Sequence, residues 1–238
     1  MFVNPFDLQR DLQKLEEVEK ASLRLVSQAI FDFRHIAAEI FRAEKDLVAD
    51  IGEDISREAL DRLGVSKIDE RLFGKMDYKR ARYVFHPEYA IRQALFVDSK
   101  AEQMSGQTTA TLQTSQTSLR IKFIRSGKPV DEKGKLPTFI ETAKGTTLLT
   151  TTIFVKYNYR EDGQDNGLVG ITIAALPNGM LQSIYNPTPQ NTIWLVGRHA
   201  PTRGEEFRVR LNFGALKKKA RWRVQRILFT TDLFAWDE

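Results

Sequence analysis

Three charged side chains between residues 76 and 102 have the types and the spacing of a hydrolytic metal site. Asp77 lies near the end of one extended segment, and Asp98 and Lys100 close the next one. Two carboxylates on neighbouring strands would form an oxygen-rich site suited to Mg²⁺, and residues two apart on a strand point to the same face. These residues are the minimal equipment for metal-assisted hydrolysis of a phosphodiester bond.

A structural interpretation competes with this one. An Asp-x-Lys triplet arises by chance about once in a few hundred residues, and Asp98 and Lys100 could form an ion pair at the edge of a sheet. They follow residues 94–97, an apolar run typical of a central, buried strand. Charges at such a place are costly unless they bind something or pair with each other. The residues alone leave both interpretations open.

Two kinds of element would position these side chains. Apolar residues recur at spacings of three and four from about residue 5 to residue 63, which predicts a helical scaffold. From residue 71 onward β-forming residues dominate, and Pro87 marks a turn between the two segments of the candidate site. The predicted strands cover residues 72–78, 82–85, 91–97, 150–159, 168–175, 193–196, 207–213 and 222–229.

The segment of residues 103–118 is polar and rich in Thr, Gln and Ser. Such a segment is a poor core element, so we favour a flexible loop. Alternatively, its hydroxyl and amide groups contact phosphates and base edges of a nucleic acid.

The net charge of +5 is distributed unevenly along the chain. Residues 1–76 contain 12 Lys/Arg against 16 Asp/Glu, whereas the remaining 162 residues contain 24 against 15. Ten of these cations lie between residues 198 and 226, which favours a polyanionic partner because phosphates release counterions on binding. A solvated face that keeps the protein soluble is the alternative. Arg208 and Arg210, two apart on a predicted strand, project to the same side and could contact guanine edges or phosphates, although a solvated strand face explains the alternation equally well.

Composition excludes several other classes of site. The chain contains no cysteine, so it can form neither a disulfide framework nor a thiolate metal site. His35, His86 and His199 are too scattered along the sequence to predict a metal cluster. No signal peptide and no run of about 20 apolar residues is present, so we expect a cytoplasmic protein without a membrane partner.

Several short segments, in this order along the chain, resemble those of a known family. They are residues 15–20 (LEEVEK), 52–55 (GEDI), 77–80 (DYKR), 95–101 (LFVDSKA), 152–155 (TIFV), 159–161 (YRE), 185–187 (YNP) and 201–205 (PTRGE), with Arg208 and Arg210. On these residues the sequence resembles the SfiI-type type II restriction endonucleases, members of the PD-(D/E)XK nuclease superfamily that are related to BglI. The similar segments extend from near the N-terminus to about residue 230.

The resemblance implies an α/β fold: a PD-(D/E)XK nuclease core with a central mixed β-sheet flanked by helices, a helical N-terminal region and additional C-terminal β-strands for DNA recognition. It implies a single endonuclease domain over residues 1–238. Within it we expect a helical scaffold at about 1–63, a catalytic core at about 71–176 and a basic DNA-recognition part at about 190–230.

The resemblance also implies catalytic roles for four residues. Asp77 and Asp98 would be the ligands of Mg²⁺, Lys100 the catalytic lysine, and Glu53 a supporting acid from the helical part. Met76 stands where the motif of the superfamily has its nominal proline.

DNA recognition and assembly follow from the same resemblance. Arg208 and Arg210 would read G·C pairs in the major groove, and we assign DNA binding to Arg198 and Arg203 as well. The family cuts interrupted palindromes rich in G and C, leaves 3′ overhangs, and works as a dimer or tetramer. We therefore expect double-stranded DNA, copies of the same chain and a companion DNA methyltransferase as partners. The alternatives are a structure-specific DNA repair or recombination nuclease of the same superfamily and a non-catalytic DNA-binding module.

Overall fold

The computed structural model describes residues 2–44, 48–68, 81–103, 108–162, 165–196, 208–229 and 232–238. In this part of the chain the α-helices are α1 (Leu12–Ala43), α2 (Val48–Arg62), α3 (Gln182–Tyr185) and α4 (Phe213–Lys219). The strands are β1 (Ala81–His86), β2 (Ile91–Gln103), β3 (Thr109–Gln113), β4 (Ile121–Arg125), β5 (Lys128–Glu132), β6 (Phe139–Glu141), β7 (Thr147–Asp162), β8 (Asp165–Leu176), β9 (Trp194–Leu195), β10 (Arg208–Asn212) and β11 (Val224–Leu228).

The central sheet has the strand order β1-β2-β7-β8-β11, and β6 pairs with the beginning of β7. Only the β2–β7 pair is parallel among the described strands of this sheet, and the other pairs are antiparallel. The sheet is therefore mixed, and the predicted α/β fold with a central mixed sheet is confirmed. The longest strands, β2 and β7, lie side by side at its centre, as the apolar run before Asp98 predicted.

Helices α1 and α2 cover one face of this sheet. The side chain of Asp11 caps α1 by accepting a hydrogen bond from the backbone N–H of Lys14 at 3.0 Å. The predicted apolar stripe of α1 is buried, and it packs with α2 on the odd-numbered side chains of β2, β7 and β8, such as Leu95, Ile153 and Ile173. The predicted helical scaffold at the N-terminus is therefore confirmed.

A smaller, three-stranded sheet in the order β3-β10-β9 lies on the opposite side of the core. Its buried residues, among them Leu112, Val209 and Leu211, belong to the same apolar cluster as Phe154 and Ala174 of the central sheet. The two sheets thus share one core, and the C-terminal strand β10 becomes part of the second layer.

The polar segment 103–118 is in part a strand, which corrects the favoured prediction of a flexible loop. Strand β3 pairs with β10 over its whole length, and Ala110 and Leu112 are fully buried. The two apolar residues alternate with β-forming threonines, so a short period-two pattern was present within a polar composition. Thr114 and Thr117, which follow β3, are also buried.

Other predicted strands are matched with shifted ends. The predicted strands at 150–159 and 168–175 are the longer β7 and β8, and the strand expected at 222–229 is Val224–Leu228 after a short 3₁₀ turn. The strand predicted at residues 72–78 lies outside the described residues. Helix α4 was not predicted from its FGALKKK sequence, although Asn212 caps it by accepting from the Ala215 N–H at 3.1 Å.

The basic run of residues 198–226 is divided by the fold rather than presented as one surface. Arg223 is fully buried and pairs with Glu19 of α1 at 2.7 Å. Lys217 and Arg221 both pair with Asp237 near the C-terminus. These cations contribute to the fold, so the run overstates the charge that is available to a polyanion.

His86, at the end of β1, should make stability depend on pH. Its Nε2 lies 3.2 Å from the Oγ of Ser22, and burial lowers its pKa although Glu88 opposes the shift. The unfolded chain then binds a proton more readily than the folded one near the ordinary histidine pKa of about 6.5. We expect the free energy of unfolding, measured in urea, to fall as the pH is lowered from 7.5 through this value.

The His86→Gln variant should weaken this dependence on pH, because glutamine does not titrate. His35 on α1 is exposed, so His35→Gln serves as the control for the loss of a histidine side chain. An unaltered profile in His86→Gln would contradict the assignment.

No helix in the described part of the chain combines the length and the apolar character needed to cross a membrane.

Candidate active site

Asp98 and Lys100 lie near the end of β2 and project to the same side of the central sheet. They are two residues apart on a strand without a register shift against β7. Asp98 is only 9% exposed, and Lys100 is partly buried. Between them Ser99 points to the other side, where its Oγ donates to the Oγ of Ser56 on α2 at 2.6 Å. The predicted shared face of Asp98 and Lys100 is therefore present.

The ammonium group of Lys100 is oriented by two neighbours. Its Nζ donates to the backbone carbonyl of Thr111 on β3 at 2.5 Å, and it lies 5.9 Å from the centroid of the Phe154 ring. A cation over an aromatic face at about 6 Å is attracted by the ring. Lys100 is thus held where the central sheet meets the smaller sheet.

A second lysine occupies the same face. Lys156 on β7 is the Cα partner of Lys100, so the two side chains project from neighbouring strands to one side. The Nζ of Lys156 donates to Glu102 Oε2 and to the backbone carbonyl of Thr109, both at 2.5 Å. Burial lowers the pKa of Lys156, Glu102 raises it, and the nearby Lys100 and Arg210 lower it further.

The sequence did not single out Lys156 and Glu102. A signal was available, because a lysine is rarely fully buried and this one stands among the apolar and aromatic residues of the predicted strand TTTIFVKYNY. Glu102 continues the alternation of Asp98 and Lys100 along β2, so it faces the same side.

Glu53 lies on α2, on the other side of the strand from Asp98 and Lys100. A Cβ atom added to the preceding Gly52 would lie 3.2 Å from both the Lys100 carbonyl carbon and the Ala101 nitrogen. A side chain at this position would be tightly packed, because the helix backbone approaches β2 closely at that point. Glu53 follows Gly52 directly and is partly buried, and its helix packs against the opposite face of the sheet.

Arg208 and Arg210 project from one side of β10, as predicted. Both are partly buried, whereas Val209 and Leu211 on the other side are fully buried. Arg210 is the Cα partner of Thr111, whose carbonyl accepts the hydrogen bond from Lys100. The arginine strand is therefore one strand away from the candidate catalytic lysine. Arg198 and Arg203 lie outside the described residues.

The donor set suits a hard cation such as Mg²⁺ in part. Asp98 supplies carboxylate oxygens, which are the ligands that Mg²⁺ prefers, and it lies on the face that carries Lys100. Asp77, the second predicted ligand, lies outside the described residues. Among the residues that the structure describes, no group of three or more His, Asp or Glu side chains could hold a metal ion.

Comparisons of the whole chain with known proteins identify its family. A family model described as type II restriction enzyme SfiI matches residues 30–227. The chain is 34% identical to the type II restriction enzyme SfiI of Streptomyces fimbriatus over 235 residues, which cover 93% of this chain and 87% of that enzyme.

The chain belongs to the SfiI family of type II restriction enzymes. The predicted family and the predicted enzyme class, a type II restriction endonuclease, are confirmed. The matched region runs from α1 to β11, so it includes Asp98, Lys100 and both arginines of β10.

Solved structures of restriction endonucleases have the same fold. The structure of tetrameric SfiI bound to cognate DNA has a TM-score of 0.80 and 32% identity, covering 94% of this chain and 90% of that chain. BglI bound to its DNA recognition sequence has a TM-score of 0.76 and 16% identity, covering 96% and 95%. At that identity the likeness to BglI shows the fold alone.

In this member of the SfiI family, one further cation lies on the face of the central sheet that carries Asp98 and Lys100, the candidate catalytic face. Arg226 of β11 is the Cα partner of Thr172, which is also the partner of Lys156. Directly paired residues project to the same side, so Lys100, Lys156, Thr172 and Arg226 form a row across four strands. Arg226 is exposed.

Proposed function

We propose that this SfiI-family enzyme makes Mg²⁺-dependent, site-specific double-strand breaks in DNA, at an interrupted palindrome containing G·C pairs, and leaves 3′ overhangs. The observation that carries the proposal is the placement of Asp98 and Lys100 on one face of β2, one strand away from the paired arginines of β10. The candidate catalytic residues and the candidate base-reading arginines are therefore close to each other. The DNA in the SfiI complex described above supports the choice of substrate.

Asp98 and Asp77 would hold Mg²⁺, with Glu53 as a supporting acid. The chemistry that bound Mg²⁺ supplies is activation of a water molecule and neutralisation of charge on the scissile phosphate. Lys100 would orient the attacking water or donate hydrogen bonds to the phosphate oxygens as negative charge develops in the transition state. Its ammonium has three N–H donors, so it can keep its hydrogen bond to the Thr111 carbonyl while it donates to the water or the phosphate.

Arg208 and Arg210 would read G·C pairs, and Arg198 and Arg203 would add DNA contacts. An arginine can donate two parallel hydrogen bonds to O6 and N7 of guanine, which a lysine cannot do with the same geometry. The shared face and partial burial of Arg208 and Arg210 support this role, because a buried stem limits the directions that the guanidinium group can take.

We propose that the whole chain acts as one endonuclease unit and works as a homodimer or homotetramer, since two-fold symmetry places one active site on each DNA strand. The tetrameric state of the SfiI structure supports an assembly of this kind. A companion DNA methyltransferase that modifies the same site in a prokaryotic cytoplasm would protect the host DNA.

Digestion of plasmid and phage DNA with Mg²⁺ tests the proposed function. We expect discrete fragments, and sequencing of their ends should give one palindromic site with 3′ overhangs. Cleavage confined to junctions or flaps would indicate a structure-specific nuclease instead. DNA binding that never leads to nicking, with or without divalent ions, would indicate a binding module.

Arg210→Ala should relax the specificity at one position of the recognition sequence. Loss of a bidentate contact to guanine costs about 1 to 3 kcal/mol of discrimination at that base pair. Cleavage rates on duplexes that differ from the recognition sequence by one base pair measure the effect, and Arg208→Ala should relax a different position. An equal loss on every sequence would instead make these arginines phosphate contacts.

Arg226→Ala should weaken binding to all DNA sequences alike. An exposed cation on the catalytic face suits a phosphate contact, and its removal should reduce the slope of log affinity against log salt concentration by about 1. Arg125→Ala, on the exposed end of β4, removes the same charge as a control. Equal salt slopes in Arg226→Ala and the unaltered enzyme would rule out a contact at Arg226.

A further inference from the structure

Two lysine side chains of the central sheet hold one edge of β3. Lys100 donates to the Thr111 carbonyl and Lys156 to the Thr109 carbonyl, each at 2.5 Å. Carbonyl groups of residues two apart on a strand point in the same direction, so both lysines act on the same edge. Strand β3 is the outer strand of the smaller sheet, and these two bonds fasten that sheet to the face that carries Asp98.

Lys156 is a costly residue for a purely structural position. Its side chain has no exposed surface, while its partner Glu102 is 36% exposed. Replacing a buried ion pair by apolar residues of similar volume is often neutral or stabilising. A methionine would fill the space of Lys156, which lies two residues from the buried Phe154 on the same side of β7. The stability of the core therefore does not account for the ammonium group.

The position of Lys156 beside Lys100 gives the ammonium a different use. Paired residues on neighbouring strands are about 5 Å apart at their Cβ atoms, so the two cations repel each other. Glu102 neutralises Lys156, and the Thr109 carbonyl directs Lys156 away from the carbonyl that Lys100 uses. Lys156 thereby defines the point at which the side chain of Lys100 contacts β3.

Strand β3 also connects this arrangement to the arginines of β10. Thr111, which accepts the bond from Lys100, is the Cα partner of Arg210. A displacement of β3 would move Thr111, and with it both the backbone beside Arg210 and the carbonyl group that accepts the hydrogen bond from Lys100. One strand thus links DNA recognition to the group that acts on the phosphate.

We propose that Lys156 is a positioning residue for cleavage: with Glu102, it fixes β3 on the catalytic face and so sets the position of Lys100 relative to the bound DNA. This inference rests on the proposed function. Lys156 touches neither DNA nor metal in this role, and its effect is on the rate of the chemical step rather than on DNA affinity.

Single-turnover cleavage of a duplex carrying the recognition sequence tests the role of Lys156. Lys156→Met should lower the cleavage rate by about 10 to 100-fold, because a misplacement of about 1 Å can cost that much. The dissociation constant for the same duplex, measured with Mg²⁺ in an Asp98→Ala background that prevents cutting, should change less than about threefold. A merely structural role would change affinity and rate together.

Thr172→Val is the matched control. Thr172 is buried and is the Cα partner of Lys156 on β8, so this variant alters the packing beside Lys156 without touching Glu102 or β3. It should leave the rate within about threefold, because valine replaces only the hydroxyl group of threonine and leaves the groups that position Lys100 in place. A rate in Lys156→Met equal to that in Thr172→Val, or a parallel loss of affinity, would overturn the inference.

Glu102→Gln keeps the inference testable if Lys156→Met fails to fold. Glu102 is partly exposed, so its substitution should leave the fold intact, and it should lower the rate about 3 to 10-fold with unchanged affinity, as loss of one orienting interaction. The double variant Lys156→Met, Glu102→Gln should cleave no more slowly than Lys156→Met alone, because the two residues act as a unit. Full activity in Glu102→Gln would overturn the inference, whereas a failure of the proposed function would appear separately, as undiminished cleavage by Asp98→Ala.

Discussion

Asp98→Asn should reduce DNA cleavage by about 10³-fold or more, because a metal ion supplies several kcal/mol of charge stabilisation and each 1.4 kcal/mol or so is a factor of ten in rate. Asparagine keeps the size of the side chain but removes the negative charge that holds the cation. The change is made at a residue that is 9% exposed and directly follows the apolar run 94–97 of β2. Single-turnover cleavage at saturating DNA concentration measures the loss.

A titration with Mg²⁺ separates a ligand from a purely structural residue. If Asp98 binds the metal, the residual activity of Asp98→Asn should require a higher Mg²⁺ concentration than the unaltered enzyme does. Asp131→Asn is the control, since Asp131 forms an exposed ion pair with Arg120 on the β4–β5 hairpin and such pairs contribute little. Activity of Asp98→Asn within tenfold of the unaltered enzyme would make the Asp-x-Lys triplet a structural ion pair after all.

Glu19→Ala should lower the free energy of unfolding by about 3 to 5 kcal/mol, because it leaves the buried guanidinium group of Arg223 without its main counter-ion. Both side chains have no exposed surface, and Glu19 also accepts the backbone N–H of Asn178 at 2.8 Å. Arg223 lies between the rings of Tyr185 and Trp222, at 4.3 and 4.4 Å from their centroids. Glu16, at 3.2 Å, would remain as a more exposed counter-ion.

Urea denaturation of a small set of variants measures this effect. Glu17→Ala, at an exposed position of the same helix, should change the stability by less than about 0.5 kcal/mol. The double variant Glu19→Leu, Arg223→Met should regain much of the loss, since replacing both charges removes the desolvation penalty. A stability loss of less than 1 kcal/mol or so in Glu19→Ala would contradict the role of the pair.

Arg223 illustrates why a run of cations in a sequence does not show which of them are exposed in the folded protein. In the sequence it belongs to a run of ten cations, and all ten appear equally available to a polyanion. The fold brings Glu19, some 204 residues away, against it. Local composition carries no information about such a partner, because the pairing is created by the packing of α1 on the central sheet.

Strand β3 illustrates the opposite case, in which the sequence contained the signal but composition concealed it. Threonine is a good strand former, and Ala110 and Leu112 alternate with it at the period of a strand. Ala110 and Leu112 fill the core from one side of the strand, and the carbonyl groups at its outer edge accept hydrogen bonds from Lys100 and Lys156.

The amino-acid sequence was sufficient to predict the family, the mixed α/β class, the helical N-terminal scaffold and the common face of Asp98 and Lys100. Each of these depends on residue types at short spacing, and alternation along one strand is enough to place two side chains on the same side. The tertiary structure alone decided that β3 lies across the end of β2, that Lys156 stands beside Lys100, and that Arg210 is one strand away. Those relations join residues 98–102, 109–111, 156 and 210, and only the pairing of strands distant in sequence brings them together.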